Sequence, residues 1–117
     1  MLEQTSGNHF TYIIAGGGAA GLSLALNLLE ILSPDQNILI IDRDDKKSND
    51  RTWCFWLKGE PPYQKVIFRT WHKINFHGTQ GFQKKFPLND YQYHMLRGID
   101  FYNHARSILS ADSRVTF

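Results

Sequence analysis

The sequence has little of what marks secreted, membrane-spanning or nucleic-acid-binding proteins. Its 117 residues include one cysteine, Cys54, so no internal disulfide can form and a reducing compartment is expected. No apolar run reaches the ~18 residues that a membrane span needs. Residues 1–7 have neither the basic start nor the apolar run of a signal peptide. The formal net charge of +2 is too small to indicate a nucleic-acid partner.

The sequence also lacks the usual catalytic and metal-binding motifs. His72 and His77 have no cysteine or acid beside them at the spacing of metal ligands, so we predict no metal site. Cys54 has no recognisable basic partner, and we expect it to be a small buried hydrophobic residue rather than a nucleophile. No residue of the chain is therefore predicted to be catalytic.

The opening of the chain is its most informative part. A predicted buried strand, Phe10–Ala15, leads into the motif Gly16-Gly-Gly-Ala-Ala-Gly21 and a leucine-rich helix over Ala20–Leu32. A second strand, Asn37–Asp42, then ends in an acid 21 residues after the last glycine of the motif. This order is typical of a dinucleotide-binding βαβ unit, in which the first strand lies at the centre of a parallel sheet.

Each motif residue has a distinct predicted role in binding FAD or NAD(P). Gly16 permits the tight turn, Gly18 lets the pyrophosphate approach the backbone, and Gly21 lets the helix pack on the strand. Ala20 lies at the helix N-terminus, whose N–H groups and partial positive charge attract phosphate. Asp42 is placed to accept hydrogen bonds from ribose hydroxyls and disfavours a 2′-phosphate, so FAD or NAD is preferred over NADP. The alternative is a glycine-rich turn that binds no ligand.

The rest of the chain predicts smaller elements. An alternating strand over His72–His77 is paired with Phe82–Phe86 in an antiparallel hairpin, and Tyr91–Arg97 is a short extended or turn segment. Asp100 is predicted to cap a helix that ends near Ser110. Its inward-facing residues are predicted to be Phe101, Ala105, Ile108 and Leu109.

A further strand, Val115–Phe117, begins where the chain stops. The predicted fold class is therefore α/β: a partial Rossmann-like FAD/NAD(P)-binding βαβ unit with an added antiparallel hairpin. We expect residues 1–117 to be the N-terminal part of a FAD/NAD(P)-binding domain, truncated and without its substrate domain. Apolar faces left uncovered in such a piece predict self-association.

Two stretches resemble a known family. Asn49-Asp-Arg-Thr-Trp-Cys-Phe-Trp56 and Tyr91-x-Tyr93-x-Met95-x-Arg97-Gly-Ile-Asp-Phe101 closely resemble the corresponding segments of flavin-dependent lycopene cyclases. The resemblance implies the FAD-binding part of a lycopene β-cyclase, an enzyme of carotenoid biosynthesis that closes the ends of lycopene into β-ionone rings. That reaction is redox-neutral but requires reduced flavin, with NAD(P)H as the reductant.

The resemblance adds three arginines to the cofactor-binding residues. Arg43 follows the ribose acid in the family-like Ile41-Asp-Arg43, and Arg51 lies in the Asn-Asp-Arg-Thr-Trp segment. Arg97 matches an arginine that reaches the flavin or its phosphates in similar flavoproteins, where a guanidinium fork suits a pyrophosphate. The alternatives are a surface ion pair for Arg97 and, for Arg51, a loop salt bridge. The candidate acids for that bridge are Asp42, Asp44 and Asp50.

The resemblance also implies partners that this chain cannot hold alone. The family's glutamate-rich motif, assigned the acid–base work, has no match here, so we expect that this chain alone does not cyclise lycopene. Lycopene would bind through the missing domain, and the full-length protein is expected to be cytoplasmic and peripherally associated with a membrane. A flavin monooxygenase, a geranylgeranyl-reductase-like oxidoreductase and a non-catalytic binding module remain the alternatives.

Several aromatic side chains could stabilise a carbocation, although core packing or an interface to the missing domain is the stronger explanation for them. They are Trp53, Phe55, Trp56, Trp71 and Phe76.

Overall fold

The computed structural model describes residues 7–117, so most of the segment examined for a signal peptide lies outside it. The chain divides into two units, one formed by the residues up to Asp45 together with Ala105–Phe117, the other by Lys46–His104. In chain order the elements are β1 (Tyr12–Ala15), α1 (Ala19–Leu29), β2 (Ile38–Ile41), β3 (Thr52–Lys58), β4 (Arg69–Trp71), β5 (Lys73–His77), β6 (Gln83–Pro87), β7 (Tyr91–Arg97), α2 (Gly98–Ala111) and β8 (Val115–Thr116).

The first unit contains a parallel sheet with the strand order β1-β2-β8. Tyr12 pairs with Ile38, and Ile38 pairs with Val115 on its other side, so the predicted strand–helix–strand unit and the last strand are both present. The prediction that the first strand is central is wrong for the described sheet, because β8 adds to β2 and leaves β1 at the edge. Ile13 on β1 is 62 % exposed, on the face opposite the buried Ile14.

Helix α1 and the second half of α2 supply much of the core of the first unit. Buried apolar residues recur along α1 at helical spacing, as the leucine pattern predicts. The helix ends at Leu29 rather than Leu32. Its C-terminal end is held by Arg114, whose guanidinium donates to the carbonyl oxygens of Leu29 and Leu32 at 3.2 and 2.8 Å and pairs with Asp112. Arg114 holds the pKa of Asp112 at about 2.

The second unit contains an antiparallel sheet with the order β3-β7-β4. Tyr91–Arg97, predicted to be a short extended or turn segment, is a seven-residue central strand that pairs with both neighbours. Its alternation is masked in the sequence because bulky residues occupy both of its faces.

The alternation of side chains along β3 determines which face Cys54 occupies. Trp53 packs edge-on against Phe101 and Tyr102, both with ring centroids at 5.8 Å, and Phe55 lies 5.4 Å from His94. Cys54 points to the opposite face of the strand, as period-two alternation requires. The prediction that Cys54 is buried is therefore wrong, since its side chain is exposed.

Helix α2 begins before the residue predicted to cap it. It starts at Gly98, and Asp100 lies in its first turn. A Cβ at residue 98 would lie 2.8 Å from the Arg51 carbonyl oxygen, a contact between segments distant in sequence that requires glycine. Phe101, Ala105 and Leu109 are buried as predicted, but Ile108 is 41 % exposed.

Strands β5 and β6 form the predicted antiparallel hairpin as a separate two-stranded sheet, with Lys73 opposite Pro87 and His77 opposite Gln83. The structure is thus mixed α/β, with three sheets and two α-helices among residues 7–117. Within that part of the chain, no helix is both long enough and apolar enough to cross a bilayer.

A buried histidine lies at the centre of β7. His94 is 1 % exposed, its Nδ1 is 2.8 Å from the Thr70 hydroxyl, and its Nε2 has no hydrogen-bond partner among the described residues. Burial, with a smaller contribution from His72, lowers the pKa of His94 below its usual value. Burial therefore favours the neutral form of this imidazole in the folded state.

Because His94 is buried, we predict that the free energy of unfolding is smaller in acid. Since the unfolded chain binds a proton near pH 6.5 and the folded chain resists it, the free energy of unfolding should fall as the pH drops below that value. Urea unfolding at pH 7.5 and 5.5 should show a smaller pH dependence for His94→Asn, which keeps an acceptor for Thr70, than for the wild type. The exposed His77→Asn should retain the wild-type dependence. Equal dependence in the wild type and His94→Asn would contradict the assignment.

Candidate functional site

The glycine-rich turn between β1 and α1 is built by backbone geometry. Gly16 has a φ of +117°, a conformation that favours glycine, and its N–H donates to the Ile41 carbonyl oxygen at 2.7 Å. A Cβ at Gly21 would overlap the Gly16 carbonyl oxygen and lie 3.1 Å from Ile14, so only glycine fits where α1 crosses the strand. The turn is thus held between the ends of β1 and β2.

Asp42 fastens this turn to the end of β2. Its Oδ2 accepts a hydrogen bond from the buried Gly17 N–H at 2.6 Å, and its Oδ1 accepts one from the Asp44 N–H at 2.8 Å. A charged acceptor makes such bonds roughly twice as strong as neutral ones. The structure therefore brings Asp42 together with the motif glycines and gives its carboxylate a role in shaping the turn.

The N-terminus of α1 is open toward any ligand of the turn. Gly18 is the N-cap residue, and within the described part of the chain no side-chain hydrogen bond caps the helix. Apart from its chain neighbours and its own helix, no heavy atom of residues 7–117 lies within 4 Å of the position that a Cβ on Gly18 would take, and the first turn, which includes Ala20, contains no acid. The first N–H groups of a helix lack intrahelical acceptors, so this end presents donors and a partial positive charge.

The three predicted arginines are not all in the same unit. Arg43 is an exposed residue directly after Asp42 in the first unit. Arg51 and Arg97 lie in the second unit at one end of the β3–β7 ladder. There the Gly98 N–H donates to the Arg51 carbonyl oxygen at 2.7 Å, and the Arg51 side chain is exposed.

Arg97 forms an ion pair, the alternative that the sequence analysis gave to a cofactor contact. Its Nε and Nη2 donate to the two carboxylate oxygens of Asp100 at 2.7 and 3.0 Å, which raises the pKa of Arg97. The guanidinium also lies 4.4 Å from the ring centroid of Phe68. The fork is thus oriented by a carboxylate and an aromatic face, and with 41 % of the side chain exposed it remains accessible.

Beside this ion pair lies a cavity of about 500 Å³ that the sequence did not indicate. It lies between the stretch 65–68 and helix α2, and α2 contributes Asp100, Asn103 and His104. Their spacing of three and four residues places these polar side chains on one helix face, a signal that the sequence contains. The stretch 65–68 lies beside this cavity because segments distant in sequence pair with each other, which the sequence does not show.

The aromatic residues fall into two groups. Trp53 and Phe55 pack against neighbours within the second unit, which favours the core interpretation for them. Trp56 and Phe76 are about half exposed, at 51 % and 53 %. Trp56 and Trp71 both lie against Tyr93, with ring centroids at 4.4 and 5.8 Å. Among residues 7–117, no cluster of three or more histidine, cysteine or acidic residues could hold a metal ion.

A family comparison covers nearly the entire described chain. The family model named lycopene cyclase protein matches residues 12–117, a span that includes the glycine-rich turn, Asp42 and both arginine segments. The chain belongs to the lycopene cyclase family. The comparisons with curated proteins and with solved structures gave no match. The predicted resemblance to the lycopene cyclase family is thereby confirmed.

The contact between Asp42 and the turn predicts a stability effect. Asp42→Ala removes the acceptor of the Gly17 and Asp44 amides and should lower the free energy of unfolding by about 1.5–3 kcal/mol. Asp42→Asn keeps one acceptor oxygen and should cost about half as much. The control is Asp35→Ala, which removes an exposed carboxylate bonded to the Ser33 hydroxyl. Urea denaturation checks the order, and equal losses for Asp42→Ala and Asp35→Ala would contradict it.

Proposed function

We propose that this member of the lycopene cyclase family binds FAD through the glycine-rich turn and serves the cyclisation of lycopene ends to β-ionone rings. The observation that supports the cofactor assignment best is the open, uncapped N-terminus of α1 at Gly18, next to a turn that Asp42 holds in place. The family match supports the lycopene cyclase role.

The residues of the turn fit a dinucleotide diphosphate. A diphosphate carries negative charge, and the start of α1 offers backbone donors with no acidic side chain in the first turn to repel it. Gly18, whose missing Cβ leaves open space, is where the phosphates would approach the backbone. Gly16 and Gly21 hold the strand and helix at the separation that this approach needs.

The charge of Asp42 determines which dinucleotide is preferred. Its carboxylate lies against Gly17 at the end of β2, where a ribose 2′-phosphate would meet like charge. We therefore favour FAD or NAD over NADP at this turn, with FAD as the family's cofactor. Arg43, Arg51 and Arg97 are the further candidates for contacts to its phosphates or flavin.

Reduced FAD would supply the electron-rich flavin that the redox-neutral cyclisation requires, with NAD(P)H as its reductant. The residues of this chain would bind and orient the cofactor through backbone amides and guanidinium groups. We assign the acid–base steps of ring closure to no residue of this chain. The proposed partner is lycopene, held by residues other than those of the turn.

The test compares Gly18→Val with Gly7→Val in this protein. Valine fits the extended backbone of Gly18 but fills the space where phosphate would approach, so FAD affinity should fall at least about 100-fold while stability changes little. Gly7 is exposed and surrounded by open space, and its variant should bind FAD normally. Unchanged flavin content in Gly18→Val would contradict the cofactor site.

The reaction is tested with the same protein given lycopene, FAD and NADPH. A cyclised product of unchanged mass supports the proposal, whereas an oxygenated or hydrogenated product would indicate the monooxygenase or reductase alternative. Loss of product in Gly18→Val together with loss of FAD would connect the reaction to the turn.

A further inference from the structure

The hairpin of β5, residues 78–82 and β6 has an apolar face that its own fold leaves uncovered. It is a separate two-stranded sheet, and every residue from Asn75 to Pro87 is exposed. Two-stranded hairpins are at best marginally stable in water unless a hydrophobic face packs against something. An apolar or interfacial surface packed against this face would therefore stabilise the hairpin.

The strand register defines the two faces of the hairpin. Ile74 opposes Phe86 and Phe76 opposes Lys84, so these four side chains share one face. Phe82 lies in the turn of the hairpin, and its ring centroid is 6.2 Å from that of Phe76. Phe76, Phe82 and Phe86 are 53 %, 55 % and 37 % exposed.

The charge on the hairpin has one sign. Lys73, Lys84 and Lys85 lie on its strands, and the stretch 72–88 contains no acidic residue. The ammonium of Lys84 lies over the Phe86 ring, 4.8 Å from its centroid, so this charge lies on the apolar face itself. Lys84 and Lys85 also line an open groove of about 240 Å³ with Asn75, His77 and Gln83. By the strand register Lys85 and those three residues lie on the face opposite the phenylalanines, so Lys84 is the lysine on the apolar face and Lys85 adds positive charge behind it.

We propose that this hairpin is the surface through which the protein binds a membrane that contains anionic lipids. The phenylalanines would enter the interface between headgroups and acyl chains, and the lysines would contact lipid phosphates. Exposed phenylalanines flanked by lysines are the combination that interfacial binding uses. The single sign of the charge disfavours a second copy of the hairpin as the occupant, because like charges would face each other. This inference rests on the hairpin alone and does not require the cofactor turn.

The experiment measures co-sedimentation of the protein with phosphatidylcholine vesicles, with and without about one third phosphatidylglycerol. Binding should require the anionic lipid and weaken as salt rises. Phe76→Thr with Phe82→Ser should weaken binding about tenfold or more, and Lys84→Gln with Lys85→Gln about thirtyfold, because each lysine near an anionic surface contributes roughly fivefold. Threonine at position 76 preserves strand propensity, so the hairpin can still form.

Two controls lie outside the hairpin. Ile31→Ser removes a side chain that is 76 % exposed, and Lys58→Gln removes an exposed lysine, so neither should change vesicle binding. Circular dichroism and unfolding midpoints establish that the variants remain folded. Absence of vesicle binding by the wild type, equal binding to both vesicle types, or equal losses in the controls would overturn the proposal. So would a concentration-dependent dimer that the Phe76 and Phe82 variants abolish while vesicle binding persists. FAD affinity should be unchanged in the hairpin variants, which separates this result from the cofactor test.

Discussion

The hydrogen bond from the Gly17 amide to the Asp42 carboxylate is the contact on which the candidate site depends. At 2.6 Å, it joins the turn after β1 to the end of β2, and the Gly16 amide makes a second connection to Ile41 beside it. Because the glycines place no side chains in the turn, backbone amides rather than side chains form its surface. The same contact fixes where α1 begins, and the direction of that helix determines where a bound anion would meet its N-terminus.

The parts of the fold that depend on local pattern were predictable. The glycine-rich turn, the leucine helix, the second strand and the hairpin all follow from the spacing of residues near one another in sequence. What failed depends on distant contacts. The true start of α2 at Gly98 is dictated by a close approach to Arg51, and the central position of Tyr91–Arg97 in its sheet by pairing with two separate strands. The first strand was expected at the centre of its sheet because both of its faces are apolar, but apolar faces do not show which neighbours will pair.

The features of the candidate site also divide into those that local sequence patterns predict and those that depend on distant contacts. The roles of Gly16 and Gly21 in the turn follow from the motif, and the structure provides the geometric reason for each. The arginines came from the family resemblance, and spacing alone could not show that Arg97 is held in a bidentate pair with Asp100. The cavity beside that pair was missed because its two walls are far apart in sequence. The hairpin was predicted as an element, and its lack of acidic residues can be read from the sequence. That Phe76 and Phe86 share one exposed face is visible only once the register is known.

The most direct test of the central claim is backbone amide hydrogen exchange, followed residue by residue with and without FAD. If a diphosphate binds at the open helix end, the exchange of the Gly18, Ala19 and Ala20 amides should slow at least about tenfold when FAD is added. Amides of the β5–β6 hairpin should exchange at unchanged rates. Equal rates at the three turn amides with and without saturating FAD would contradict the account, because these are the groups to which it assigns the phosphates.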